Sequence, residues 1–296
     1  MSGVECYRFV EDDLTSANGD MSWRVGEWNE VRGPIVCCVG GLHASLTPRD
    51  SVRNVYGKRW FRAEARGEIS HQGNKLAARE MRLVDEIPPA VLRRFAVGCA
   101  RRSFGYLEKR HPMDARILQC IHATEDYLDG ALGEDELLRG RQATSAVVAS
   151  GATIGPDTGR AVAAAIGASC AANGDAASWA AAAAGAAYAA HVAADAIDAA
   201  ATLTAAYSGI HNVAAGFAAA NAADHAATAA RTAAAAGAVA HAAAVAAASG
   251  GYAPDVAADR YFAAWSASTG HPVDNHYLAQ NADLLKLIAD SRAQRA

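Results

Sequence analysis

Apolar and polar positions alternate in two different rhythms along this chain. Up to about residue 87 the rhythm is strand-like and often interrupted, and from Pro88 onward it is helical almost throughout. Tyr7-Arg8-Phe9-Val10 predicts a first strand, and Asn18-Gly19-Asp20 a turn. Residues 23–26 lead into a second strand, and the apolar run 34–39 predicts a third, ended by Gly40-Gly41. Thr47-Pro48-Arg49-Asp50 opens a short helix, with a capping threonine, proline at the first helical position and an acid in the first turn. Residues 60–66 alternate with Phe61, Ala63 and Ala65 on one face, Gly67 closes that strand, and 80–86 supply the last one.

Pro88-Pro89 marks the boundary. Helices are expected over 90–109, 114–128, 134–149 and from Pro156 to Asn173-Gly174. Asp175 caps a long helix that weakens near Ser208-Gly209, and another runs from about 210 to 248. Pro254-Asp255 starts a helix with Tyr261, Phe262 and Trp265. A last helix carries Leu278, Leu284, Leu285 and Ile288. The pattern therefore predicts an α+β protein. A small mixed α+β head over 1–87 precedes a mainly α, alanine-rich helical bundle over 88–296.

Composition sharpens the picture of the second half. Residues 161–250 contain 49 alanines, no lysine and one arginine, Arg231. Alanine loses no rotamer entropy in a helix, so the tract is expected to be helical. Its side chains bury little area, but they let helix axes approach more closely than the usual ~8–10 Å. The tract lacks the Pro, Glu, Ser and Lys bias of disordered chains. Its charge-free windows at 199–223 and 232–254 hold Ala, Gly, Asn, Ser, Thr and His rather than Leu, Ile and Phe, which argues against membrane spans.

The net charge of −4 gives no global attraction to nucleic acid or anionic lipid. The charge is unevenly placed, at +4 over residues 1–110 and −8 over the remainder. Six cysteines without a CxxC pair read as reduced core residues of a cytoplasmic protein. The start Met1–Val10 does not read as a secretory signal.

Three sets of residues carry candidate chemistry. Arg93, Arg94, Arg101 and Arg102 lie on one predicted helix, with Arg94 and Arg101 seven apart on a shared face. Such a face binds phosphates or an acidic partner; without aromatic interleaving, nucleic acid is not favoured. His191, His211, His225 and His241 dot the alanine tract. His191 and Asp195 are four apart, but no HxxxH or HExxH spacing accompanies them, so no metal is expected.

The third set lies in the head and comprises Arg8, His43, Ser45 and Glu64, with Glu68 as an alternative carboxylate. Its layout is similar to that of small ADP-ribosyltransferase-like folds, which implies that Arg or His holds NAD while a carboxylate stabilises the cationic sugar. The chain has no Ser-Thr-Ser run and no Glu-x-Glu or Gln-x-Glu pair. The competing reading makes Arg8 and Glu64 a cross-strand surface pair and His43 a turn residue.

Two wider resemblances join these features. Tyr7-Arg8, Val25-Gly26-Glu27, Cys38 followed by Gly41-Leu42-His43-Ala44-Ser45, Glu64 and Gly67-Glu68-Ile69 make residues 5–87 resemble an uncharacterised N-terminal domain of phage and prophage proteins. Asp114-Ala115-Arg116-Ile117-Leu118, Glu125–Gly130, Glu136-Leu137, Arg141-Gln142-Ala143, the alanine tract and Gln280–Leu285 make residues 113–290 resemble the immunity-protein-like helical domains of bacterial toxin–immunity cassettes. These resemblances imply a phage or mobile-element protein without a known catalytic site. The expectation is a non-enzymatic binding or assembly protein without cofactor, working on a protein partner or on a second copy of itself. The alternative is an NAD-using transferase in the head.

Overall fold

The computed structural model describes residues 3–191 and 274–295, apart from 18, 38, 54–56, 110–111, 150–155 and 189. The expected helices over 210–248 and 254–269, with His211, His225 and His241, lie outside the described residues, as do Cys38 and Asp195. The protein is α+β, with one five-stranded antiparallel sheet and, among the described residues, seven helices. It divides into two compact units. The first comprises Met1–Phe95, Asp175–Ala181 and Tyr277–Ala296, and the second Ala96–Gly174 and Ala182–His276.

In the first unit the strands are β1 (Val4–Val10), β2 (Asn29–Glu30), β3 (Leu42–Ser45), β4 (Arg59–Gln72) and β5 (Lys75–Ile87). The long β4–β5 hairpin is the spine. β1 pairs along the first half of β4, β3 along the first half of β5, and β1 with β3 through Tyr7 and Ser45. The pairings return on themselves, so the sheet is strongly bent. Alternation then gives each strand an inner and an outer face. The inner face packs Cys6, Val10, Leu42, Ala44, Phe61, Ala63, Ala65, Leu76, Ala78, Met81 and Leu83 around Trp23. Alanine on facing strands leaves room for Phe61 and Trp23, as interdigitation at native density requires. On the outer face Trp60 stacks on Phe9 at 5.5 Å, and its indole N–H donates to Ser51 Oγ at 3.0 Å.

The structure corrects several expectations here. Residues 23–26 lead into the two-residue β2, and Trp23 enters the core from this irregular segment. Residues 34–37 and 39 form only an isolated bridge, Val36 with Gly40. The stretch 42–45, whose His43 the competing reading made a turn residue, is β3. Gly67 does not end β4. It sits at φ +78° where the β4–β5 register shifts between Arg66 and Ile69, and an added Cβ would lie 3.1 Å from Arg79 Cβ. Glycine at a left-handed position lets the strand bulge and continue.

Helix α1 (Pro48–Arg53) begins as expected. Thr47 Oγ1 accepts the Asp50 N–H at 3.1 Å and donates to Asp50 Oδ2 at 2.7 Å, a reciprocal capping arrangement. Helix α2 (Pro89–Glu108) runs from the first unit into the second. In the second unit α3 (Ala115–Leu128), α4 (Glu134–Ala149) and α5 (Pro156–Asn173) fall close to their expected limits; α6 (residues 176–188) starts after Asp175 as expected, and its expected weakening near 208 lies outside the described residues. Asp114 caps α3, and Asp175 accepts the Ala177 N–H at 3.1 Å to cap α6.

The alanine faces meet closely. At Gly167 of α5 an added Cβ would stand 3.3 Å from Ala183 Cβ of α6, so glycine and alanine bring these helices together at that crossing. Ala161, Ala164, Ala165 and Ala168 of α5 and Ala180, Ala183, Ala184 and Ala187 of α6 are all buried. Among the described residues no helix is long and apolar enough to cross a membrane.

The last helix is α7 (Asp274–Ala293). Its buried stripe is His276, Gln280, Leu284 and Ile288, at i, i+4, i+8 and i+12. Of the four apolar residues read onto this helix, Leu278 and Leu285 are 59% and 45% exposed.

Candidate functional site

The register separates the residues of the transferase-like set. Arg8 opposes Phe61, so its side chain belongs to the inner face. There its guanidinium lies 4.7 Å from the Trp23 ring, donates to Ser16 Oγ at 2.8 Å and donates to the His43 carbonyl. Trp23 Nε1 donates to the same Ser16 hydroxyl at 2.9 Å. Burial holds Arg8 below the usual guanidinium range, at about 10. Glu64, His43 and Ser45 are on the outer face, because Glu64 opposes Glu5 and Ser45 opposes Tyr7. β1 stands between Ser45 and Glu64, at least about two strand spacings of ~4.8 Å apart. Arg8 thus touches the backbone of His43, but no single cleft collects the four side chains. Burial, then the Arg8 charge, pushes the His43 imidazole pKa down.

Glu64 is one rung of an ionic ladder on the β4–β5 hairpin. Arg82 donates to Glu64 at 2.7 Å, Arg66 to Glu80 at 2.6 Å, Arg62 to Asp85 at 2.7 Å, and Arg79 pairs with Glu68. Trp28 lies against it, with the Arg66 and Arg82 guanidinium groups 3.9 and 4.9 Å from its ring. The Arg8–Glu64 surface pair of the competing reading does not form: Glu64 pairs with Arg82 of β5, and Arg8 lies on the inner face. Glu68 is likewise held by Arg79.

On α2, Arg94 and Arg101 are exposed and Arg93 and Arg102 half-buried. Arg101 forms a two-pronged ion pair with Glu125 of α3, which raises its pKa and takes it out of a free basic face. His191 sits in an aromatic cluster of the second unit. Its ring stacks on His276 at 4.9 Å and lies 5.0 Å from Tyr106, whose hydroxyl is 2.9 Å from His276 Nδ1. No group of three or more potential metal ligands occurs among the described residues.

The densest buried polar site is one the sequence reading did not assemble. It joins α1 to α7 within the first unit. Arg49, Asp50 and Gln280 are at most 7% exposed. Arg49 Nε donates to Gln280 Oε1, its backbone N–H donates to Asn281 Oδ1 at 3.1 Å, and its guanidinium lies 5.1 Å from the Tyr277 ring. The Tyr277 hydroxyl donates to Asp50 Oδ1, which also accepts from Asn74 Nδ2 at 3.2 Å. At the far end of α7, Arg292 donates to Asp85 at 2.8 Å and Arg295 to the Glu86 carbonyl at 3.4 Å. The clue available in the sequence was Gln280 four residues before Leu284. A polar residue in the buried stripe of a helix demands a polar partner.

Comparison with known proteins bears on the head alone. Residues 4–92 match the model of a domain of unknown function, DUF7666. No curated protein and no solved structure matches the chain. The matched segment contains the whole sheet and α1, hence the Arg49–Asp50 half of the buried site, and it stops before α7.

Proposed function

We propose that this protein is a non-enzymatic binding or assembly protein acting through helical surfaces, in the setting of a phage or mobile element and in the host cytosol. The sequence resemblance of the two segments supports the setting and the immunity-like character of the body. One structural observation carries the function: the outer face of α7 holds an apolar stripe, bordered by Lys286 and Asp290. Leu278, Ala282, Leu285 and Ala289 follow one another at i, i+4, i+7 and i+11 and all are exposed. That spacing is the seam of a helix that packs on another helix. Leucine alternating with alanine gives each large side chain a small one to seat against in an antiparallel partner.

The proposed occupant is the same helix of a second copy, because a two-fold pairing places Leu278 opposite Ala289 and Leu285 opposite Ala282. Sedimentation velocity from 1 to 100 µM tests this. The expected result is a mass that rises above 30.5 kDa with concentration and stays at 30.5 kDa in Leu278→Glu/Leu285→Glu. A wild-type mass fixed at 30.5 kDa over the whole range refutes the self-association.

A further inference from the structure

The inner face of α7 leads to a separate inference. Its deepest contacts to the head are polar. Gln280 is fully buried against Arg49, Tyr277 reaches Asp50, and Asn281 takes the Arg49 amide. Apolar anchoring comes from Leu284 and Ile288, and two arginine contacts finish the helix at Asp85 and the Glu86 carbonyl. Polar groups of this kind are hydrated when apart and satisfied only by the right partner when together. They therefore discriminate among helices more than they add affinity. Every head residue in these contacts (Arg49, Asp50, Asp85, Glu86) lies inside the 4–92 domain match, and every helix residue lies beyond it.

We propose that the head is a helix-reading module. Its ligand is an amphipathic helix with Tyr at one position, Gln three and Asn four positions later, Leu and Ile at +7 and +11, and Arg at +15. The chain's own C-terminal helix, Tyr277 to Arg292, fills this site and is exchangeable for an identical helix supplied from outside. The inference deepens the binding-protein reading, yet it stands on the opposite face of α7 and fails independently of the self-association.

The test uses the full chain with a specific protease site inserted between Gly250 and Gly251, its melting temperature before cutting serving as the folding control. After cleavage at 10 µM, gel filtration shows whether the C-terminal fragment stays with the rest. A fluorescein-labelled peptide of residues 274–296 is then titrated in and followed by anisotropy. The expected result is retention of the fragment and saturable displacement by the peptide. Peptides carrying Tyr277→Phe or Asn281→Ala should compete at least about tenfold more weakly, since each loses a hydrogen bond to a buried head group. The substitutions are confined to the peptide, so the protein's folding is not at stake. Immediate separation of the fragment overturns the proposal, as does equal competition by the variant peptides.

Discussion

The rotational setting of α7 decides which of its faces is free, and two leucines measure it. Leu284 is fully buried, whereas Leu278, six residues earlier, is 59% exposed. Truncating a buried leucine to alanine removes its transfer energy and leaves a cavity, for about 2–5 kcal/mol in total. Truncating an exposed one costs within about 0.5 kcal/mol. The unit to which both belong has roughly 120 residues, so 1 kcal/mol moves its melting temperature by about 3–5 °C. Leu284→Ala should therefore melt roughly 6–25 °C below wild type and Leu278→Ala within about 2 °C of it. Trp23 and Trp60 are both buried in the head and report its unfolding by fluorescence. Urea titration separates a stability change, seen in the midpoint, from a change in slope. If Leu278→Ala proves as costly as Leu284→Ala, the outer stripe is covered in the monomer, and the argument for a free helical seam collapses.

Two further outcomes follow from the second unit. Asp114 accepts the Arg116 amide and guanidinium, and these hydrogen bonds pull its carboxyl pKa down to about 2. Because the folded value lies below the unfolded one, the contribution is present above about pH 4 and disappears as pH falls through about 2. Asp114→Ala should cost about 1 kcal/mol in denaturant titrations at pH 7 and almost nothing below pH 2; a penalty that persists at pH 2 would contradict the capping role. Gly167→Leu should destabilise by about 1–3 kcal/mol in the same titration, since the new side chain must displace Ala183. An unchanged midpoint would mean that α5 and α6 are not in close contact there.

What the sequence made legible depended on whether the signal was local. The helix limits near Asp114, Pro156, Asn173 and Asp175 were readable because caps, proline and the Asn-Gly pair act within one turn. The hairpin was half-readable: Phe61, Ala63 and Ala65 gave the inner face of β4, but Gly67 mimicked an end because a bulge glycine and a turn glycine look alike in sequence. β3 was missed because Leu42-His43-Ala44-Ser45 has only two apolar positions and becomes a strand through pairing with Leu76, Ala77 and Ala78. Arg8, His43, Ser45 and Glu64 were grouped by analogy, but strand parity, which alternation fixes only once the register is known, sorts them onto opposite faces. The site between α1 and α7 was hidden because Arg49 and Gln280 are 231 residues apart.

The same two helices show why polar burial is useful there. A stability-driven interface would place leucine at 280, since apolar replacements of buried polar contacts are often neutral or favourable when both sides change together. With Arg49 in place, however, only one register of α7 works. Sliding the helix by one turn brings Leu284 to the position of Gln280 and Leu285 to that of Asn281, which takes the Gln280 acceptor from the Arg49 side chain and the Asn281 acceptor from its amide. It also moves Arg292 off Asp85. The Arg49 side chain donating to Gln280 and the Arg49 amide donating to Asn281 set a penalty for slipping, and they fix which leucines of α7 face outward.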